Sequence, residues 1–288
     1  MQLFKTILVS EPPGVGKTTW IQQQVHTIAE PALYINIGSA YINMGSANMG
    51  SADASVDATY LAAEEPNLKV VSAYQLQQSL NHFSSETMLY VELGSQIDLN
   101  SLVLPEPMSD CQRVAVLPPG TQATDWHNWA DLVVDGVKNH PTGMYDTEIT
   151  EGIVHSQLWH SALTGQVFNP ASLDTFWDEL IHSAYGSIQR AKGIFDMVDG
   201  RSFYFDFVAG LSETRYVELN LPQWLDGRPE RFSGLEVWGD ALDQTAMVQT
   251  IRDCCLEDQA IAYYQQQIQQ QIKFQMQQAQ IQQGAAIG

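Results

Sequence analysis

Cysteine is scarce in this chain. Cys111, Cys254 and Cys255 are the only three in 288 residues, too few for a disulfide framework, so a reducing compartment such as the cytoplasm is the simplest expectation. The same scarcity removes every Cys-x-Cys and Cys-x-x-Cys spacing. His155 and His160 stand five apart, which suits neither one helix face nor one strand face; zinc or another transition metal is therefore poorly supported. Basic residues are also few, with 13 Lys and Arg against 33 Asp and Glu and a net charge of −20. That balance argues against nucleic acid or an anionic membrane as a partner and is otherwise a matter of solubility. No apolar run reaches the roughly 18 residues that a membrane helix needs. The first residues read as a strand rather than as the cleavable apolar segment of a signal peptide.

What is present begins at that strand. Phe4 to Ser10 alternates into an apolar run, and Glu11 to Thr19 follows, with Gly14, Val15, Gly16, Lys17, Thr18 and Thr19 in a row before a helix-like segment starting at Trp20. Strand, glycine loop and helix in this order make a phosphate-binding P-loop. Glycines let the loop close, and backbone N–H groups at the helix N-terminus face the anion. In that arrangement Lys17 would meet the outer phosphates, the Thr18 hydroxyl would hold Mg²⁺, and Thr19 would meet the inner phosphate. One position departs from the pattern: Glu11 stands where the first glycine belongs. It adds negative charge near a triphosphate, and an outward-pointing side chain would weaken binding without abolishing it. A second element is Glu92, at the end of the apolar run Thr87 to Leu93 and before Gly94. A carboxylate at such a strand end is placed to act on the Mg²⁺ shell or the attacking water; the plain alternative is a solvated strand terminus. Asp98 is a fallback, and Asp53 and Asp57 are further candidates to approach the metal.

Along the first 145 residues, strand-like segments alternate with helix-like ones: Phe4 to Ser10, a helix from Lys17 to about Ala29, then Ala32 to Ile37, Leu68 to Ala73, a helical stretch from Tyr74 to Phe83, Thr87 to Leu93, Arg113 to Leu117, and an edge strand at Leu132 to Val134. This alternation indicates an α/β domain with a mainly parallel sheet and helices on both faces. A tandem repeat runs from Tyr34 to Ala52, with Tyr41 to Ala47 nearly copying Tyr34 to Ala40 and a partial third copy after it. Its period is too short for a solenoid, and its Gly, Ser and Asn content fits an expanded loop. Residues 146–256 change character. A helix capped by Asn169 or Ser172 runs to Ala184, and Ile188 to Asp196, Ser202 to Val208 and Arg215 to Leu221 read as strands with turns at Gly200 and Gly210, which makes a smaller α+β domain. Arg190, Lys192, Arg201, Arg215, Arg228 and Arg231 concentrate basic charge here; ion pairing within an acidic fold is one reading and a docking face the other. Residues 257–288 form a Gln-rich tail, helical or disordered. Ile261, Tyr264, Ile268, Ile272, Met276 and Ala279 would make one apolar seam available for packing or self-association.

The P-loop, together with Val91-Glu92-Leu93-Gly94, resembles the CobW family of P-loop GTPases. The match is more specific in the second half, where Gly165 to Pro170 and Tyr185 to Phe195, with its Arg190-Ala191-Lys192-Gly193 strand, are similar to the CobW C-terminal domain. The resemblance spans Phe4 to about Leu256. It implies GTP, or ATP, with Mg²⁺ as cofactors, Glu92 as the catalytic residue that positions water, and Thr18 with Glu92 on the metal. It also implies a nucleotide state that sets the contact with a protein partner. Three departures bear on that. The family's Cys-x-Cys-Cys metal motif is absent, the guanine-reading Asn-Lys-x-Asp is replaced by Asp135-Gly136, and Glu11 interrupts the P-loop. The expectation is therefore a nucleotide-binding protein with slow or vestigial hydrolysis. The alternatives are a pseudo-GTPase scaffold or assembly factor, and a metal chaperone that uses oxygen or histidine ligands.

Overall fold

A computed structural model of the chain describes residues 5–12, 14–28, 30–37, 55–71, 87–94, 97–99, 111–122, 124–136, 156–211 and 214–287. The chain forms two compact units, residues 1–156 with 208–213, and residues 157–207 with 214–288.

The first unit is a six-stranded sheet in the order β3-β2-β4-β1-β5-β6. Its strands are β1 (Lys5–Ser10), β2 (Ala32–Ile37), β3 (Leu68–Val70), β4 (Met88–Leu93), β5 (Cys111–Leu117) and β6 (Leu132–Asp135). Every pair in it is parallel. Parallel strands need crossover connections, and among the described residues the helices in them are α1 (Lys17–Thr27), α2 (Val56–Glu64) and the short α3 (Asp125–Trp129). Leu8, Leu33, Ile35, Leu89, Val91 and Leu93 are buried, which is why these strands read as continuous apolar runs and not as alternating ones. The chain leaves β1 toward β2 on one side and later reaches β5 on the other. The carboxyl end of β1 therefore lies where the strand order reverses, the usual ligand crevice of an open α/β sheet.

Most expected elements of this unit match. The exceptions are α2 and the short α3, neither of which the sequence analysis expects. Ser55 caps α2 by accepting from the Ala58 N–H at 3.1 Å, and Asp57 lies in its first turn. The expected helix at 74–83 and most of the repeat lie outside the described residues.

The second unit carries a five-stranded sheet in the order β10-β9-β8-β11-β7. Its strands are β7 (Gln157–Ala162), β8 (Ser187–Asp196), β9 (Ser202–Val208), β10 (Arg215–Glu218) and β11 (Gly234–Asp240). β11 runs antiparallel to both β7 and β8. The helices are α4 (Pro170–Ile181), α5 (Gln244–Asp253) and α6 (Asp258–Ile287). Asn169, not Ser172, is the N-cap of α4, accepting from the Ser172 N–H at 3.1 Å, and Pro170 opens the helix. Leu173, Phe176, Trp177 and Leu180 form its buried face. They meet Phe195 and Phe205 in a core of edge-to-face rings, with Trp177 and Phe205 centroids 5.2 Å apart. The sequence analysis expects neither β11 nor α5: Gly234 and Gly239 bracket β11 and dilute its strand signal, although it pairs with a strand on each side.

The tail is helical, and its seam is only partly used. Ile261 is buried and Ile268 and Ile272 are half-buried, but Tyr264 and Met276 are exposed. Gln265 is buried in their place, taking the Gly227 N–H at 2.8 Å and giving its amide to the Gly227 carbonyl at 3.1 Å. A buried polar group with partners on both ends is a stable substitute for an apolar one. No helix among the described residues is long and apolar enough to cross a membrane.

Candidate functional site at the carboxyl end of β1

The loop after β1 folds as its glycines require. Gly14 and Gly16 take φ of 87° and 114°, values that L side chains rarely adopt. Gly16 is the residue before α1, and no side chain caps the helix there in the ordinary way. The first N–H groups of a helix have no acceptor within the helix itself, and that end of the helix draws an anion. A third glycine completes the shape. A Cβ at Gly136, just past β6, would collide with the Val15 side chain and carbonyl. The Asp135-Gly136 pair that stands where a base-reading motif was expected thus has a packing role, and Asp135 itself is exposed.

The anion that fills this position belongs to the chain itself. Glu11 is 4% exposed. Its Oε2 accepts the Lys17 N–H at 2.5 Å, and its Oε1 lies 3.1 Å from Lys17 Nζ. Of the two directions open to the Glu11 side chain, the structure has the inward one. A carboxylate that accepts from the first N–H of a helix and faces a buried ammonium is stabilised by both, whereas an outward rotamer would leave Lys17 with less compensation for its burial. Lys17 is buried too and also lies 3.6 Å from Glu92 Oε1.

Glu92 is positioned by sheet register. It pairs with Val9 of β1 on one side and Asn36 of β2 on the other, and it is 3% exposed. It is therefore not a solvated strand terminus. Its Oε2 accepts the Tyr34 hydroxyl at 2.8 Å, and the Asn36 amide donates to that hydroxyl at 3.2 Å. Burial, then the negative charges of Glu92 and Asp57, push the Tyr34 phenol well above its ordinary value. Tyr34 thus stays protonated and donates. Sequence reasoning missed Tyr34; its only signal was a polar-tipped aromatic inside an otherwise aliphatic strand. Asp57, one of the acidic candidates, is buried at the start of α2, close enough for its charge to act on Tyr34. Asp98 is exposed, and Asp53 lies outside the described residues. Thr18 and Thr19 follow Lys17 in the first turn of α1, half-buried.

The donor chemistry fits a phosphate and, through Thr18 and Glu92, leaves hard oxygen ligands of the kind Mg²⁺ takes. It does not fit a thiolate metal. Burial pushes the Cys254 and Cys255 thiols up to about 11, so both are neutral thiols near pH 7 and donate to backbone carbonyls in and beside α5. Among the described residues no three His, Cys, Asp or Glu side chains are grouped to hold a metal ion.

No family model matches the chain, and no curated protein matches it. Among solved structures, it is similar to the Zn(II)-bound YjiA GTPase from E. coli, at 10% identity over 88% of this chain and 99% of that one, with a TM-score of 0.31. It is similar also to a Zn(II)-bound triple mutant of YjiA GTPase, at 11% identity, the same coverage and a TM-score of 0.30. Likeness at this level lends no residue a role; the reading of the site rests on its own geometry.

Proposed function

We propose that the chain is a P-loop nucleotide-binding protein that takes a purine nucleoside triphosphate, GTP or ATP, with Mg²⁺. The observation that carries this is the convergence of the Lys17 N–H and the Lys17 ammonium on a single carboxylate, behind two left-handed glycines, at the strand-order reversal of a parallel sheet. A helix N-terminus and a lysine converging on one anion is the arrangement by which phosphate is held. On this reading Gly14, Val15, Gly16, Lys17, Thr18 and Thr19 hold the phosphates, and Thr18 with Glu92 would hold Mg²⁺, which when bound would neutralise phosphate charge. Glu92 is the catalytic candidate. Its two oxygens are already turned to Lys17 and Tyr34, which favours slow turnover and a role exerted through nucleotide-dependent contacts with a protein partner. Isothermal titration with GTP, GDP and ATP in the presence of Mg²⁺ tests the reading directly. Binding that is lost in Lys17→Ala is the expected result, and no binding at millimolar nucleotide ends it.

A second reading is favoured by the seating of Glu11: a scaffold or assembly factor whose phosphate loop serves only as structure. Cellular function that survives Lys17→Ala unchanged would select it.

A further inference from the structure

We infer that Glu11 is an internal competitor for the phosphate site, a carboxylate that closes the P-loop until a nucleotide displaces it. The inference rests on the nucleotide-binding reading and adds to it the regulation of that site. Three observations combine. The Glu11 carboxylate is bidentate, one oxygen on the Lys17 N–H and the other facing the Lys17 ammonium, so it engages the same two donors that a phosphate would need. Both side chains are buried, with side-chain exposures of 9% for Lys17 and 5% for Glu11, so the pair is little screened by water or salt. Finally, α1 has no acidic residue in its first turn and no side-chain cap of its own; Glu11, six residues upstream, does the work that such a group would do.

The consequence is a threshold. A ligand gains the N–H and ammonium contacts only by expelling a carboxylate that already has them, and a carboxylate left beside the bound phosphates would repel them. Pro12 biases the Glu11 backbone toward an extended conformation, so release proceeds by rotation of the Glu11 side chain with the loop in place. Ligands that carry a chain of phosphates and bring a divalent cation can offset the displacement, whereas inorganic phosphate cannot.

The test is titration of the full chain with Mg²⁺-GTP and Mg²⁺-ATP in the unaltered protein and in Glu11→Gly and Glu11→Gln. Glu11→Gln keeps the shape and removes the charge, so it serves if the glycine variant fails to fold. Both variants are expected to bind at least tenfold tighter than the unaltered chain, and to lose binding when Lys17→Ala is added. Equal affinity in all three proteins overturns the competitor and leaves the nucleotide reading standing. No binding by any of the three at millimolar nucleotide overturns both. In the unaltered chain, the Lys17 amide proton resonance is expected far downfield, because it donates to a carboxylate, and is expected to move as GTP displaces Glu11. A resonance that saturating GTP leaves in place overturns the proposal.

Discussion

The first unit gathers several buried charges toward one end of its sheet, while most ion pairs of the second lie nearer its surface. Glu11, Lys17 and Glu92 are buried around the carboxyl ends of β1 and β4, and Asp57 is buried at the start of α2, where its charge acts on Tyr34. In the second unit, Arg190 pairs with Asp206, Lys192 with Glu236, Arg201 with Asp199 and Glu218, and Arg228 with Asp258. Burying charge is costly unless its partners are well placed, and a fold that needs only stability has little reason to gather four such groups. Pairs that keep some contact with water cost less and contribute less. The basic stretch from Arg190 to Arg231 therefore reads as ion pairing within an acidic fold, while the buried group in the first unit is the candidate site proposed above. One pair of the second unit crosses the line. Asp196 is buried, and Arg231 reaches it at 2.6 Å while donating to the carbonyls of Pro222 and Gly200.

Removing Lys17 should separate the units most sharply. Lys17→Ala leaves Glu11 and Glu92 buried without their shared cation, and a loss of about 3–5 kcal/mol is expected in denaturant unfolding without nucleotide. A loss below about 1 kcal/mol would mean that the carboxylates relax into solvent and that the two units treat charge alike.

Arg231→Ala is the matching experiment in the second unit, with about 3 kcal/mol expected. It has a pH signature. Burial raises the Asp196 carboxyl above its ordinary value, and Arg231 opposes that rise. The folded state thus binds the proton more tightly than the unfolded state. The stability this gives is present below the unfolded carboxyl value and is lost as pH rises through the folded one. Without Arg231 the folded value climbs further, so the variant's deficit should grow from pH 4 toward pH 7. A deficit that is flat across that range would show that Asp196 does not stay buried.

Tyr34→Phe should cost less, about 1.5 kcal/mol, because it takes one hydroxyl donor from a buried carboxylate. Urea unfolding of the variant beside the unaltered chain measures it. Arg201→Ala should cost least, about 0.5 kcal/mol and less in high salt, since Arg201 is nearly half exposed. A large loss there would assign the second unit's surface pairs a structural weight equal to the buried ones.

The parts of the site that lie close together in sequence were legible without coordinates. Gly14 to Thr19 follow one strand and open one helix, so their spacing alone brings the glycine turn and Lys17 together. The apolar runs of β1, β2, β4 and β5 were legible for a similar reason: a parallel strand buried on both faces leaves no polar alternation to confuse it. β11 was not, because its glycines serve close packing that only its neighbours reveal: a Cβ at Gly234 would stand 2.8 Å from the Phe232 ring. The same holds for the seam of α6, where periodicity marked Tyr264 but a bonded Gln265 took the interior place.

By itself, then, the sequence determined the loop, the strand periods and the presence of an anion-seeking lysine, since these follow from local backbone geometry and from residues a few positions apart. Tertiary structure decided which groups face that lysine. Tyr34 and Glu92 are 58 residues apart and meet only through the β2–β4 register. The direction of Glu11 was equally undetermined by spacing. An isolated carboxylate prefers water, and it turns inward here because the fold presents it with a buried ammonium and the first N–H of a helix at the same point.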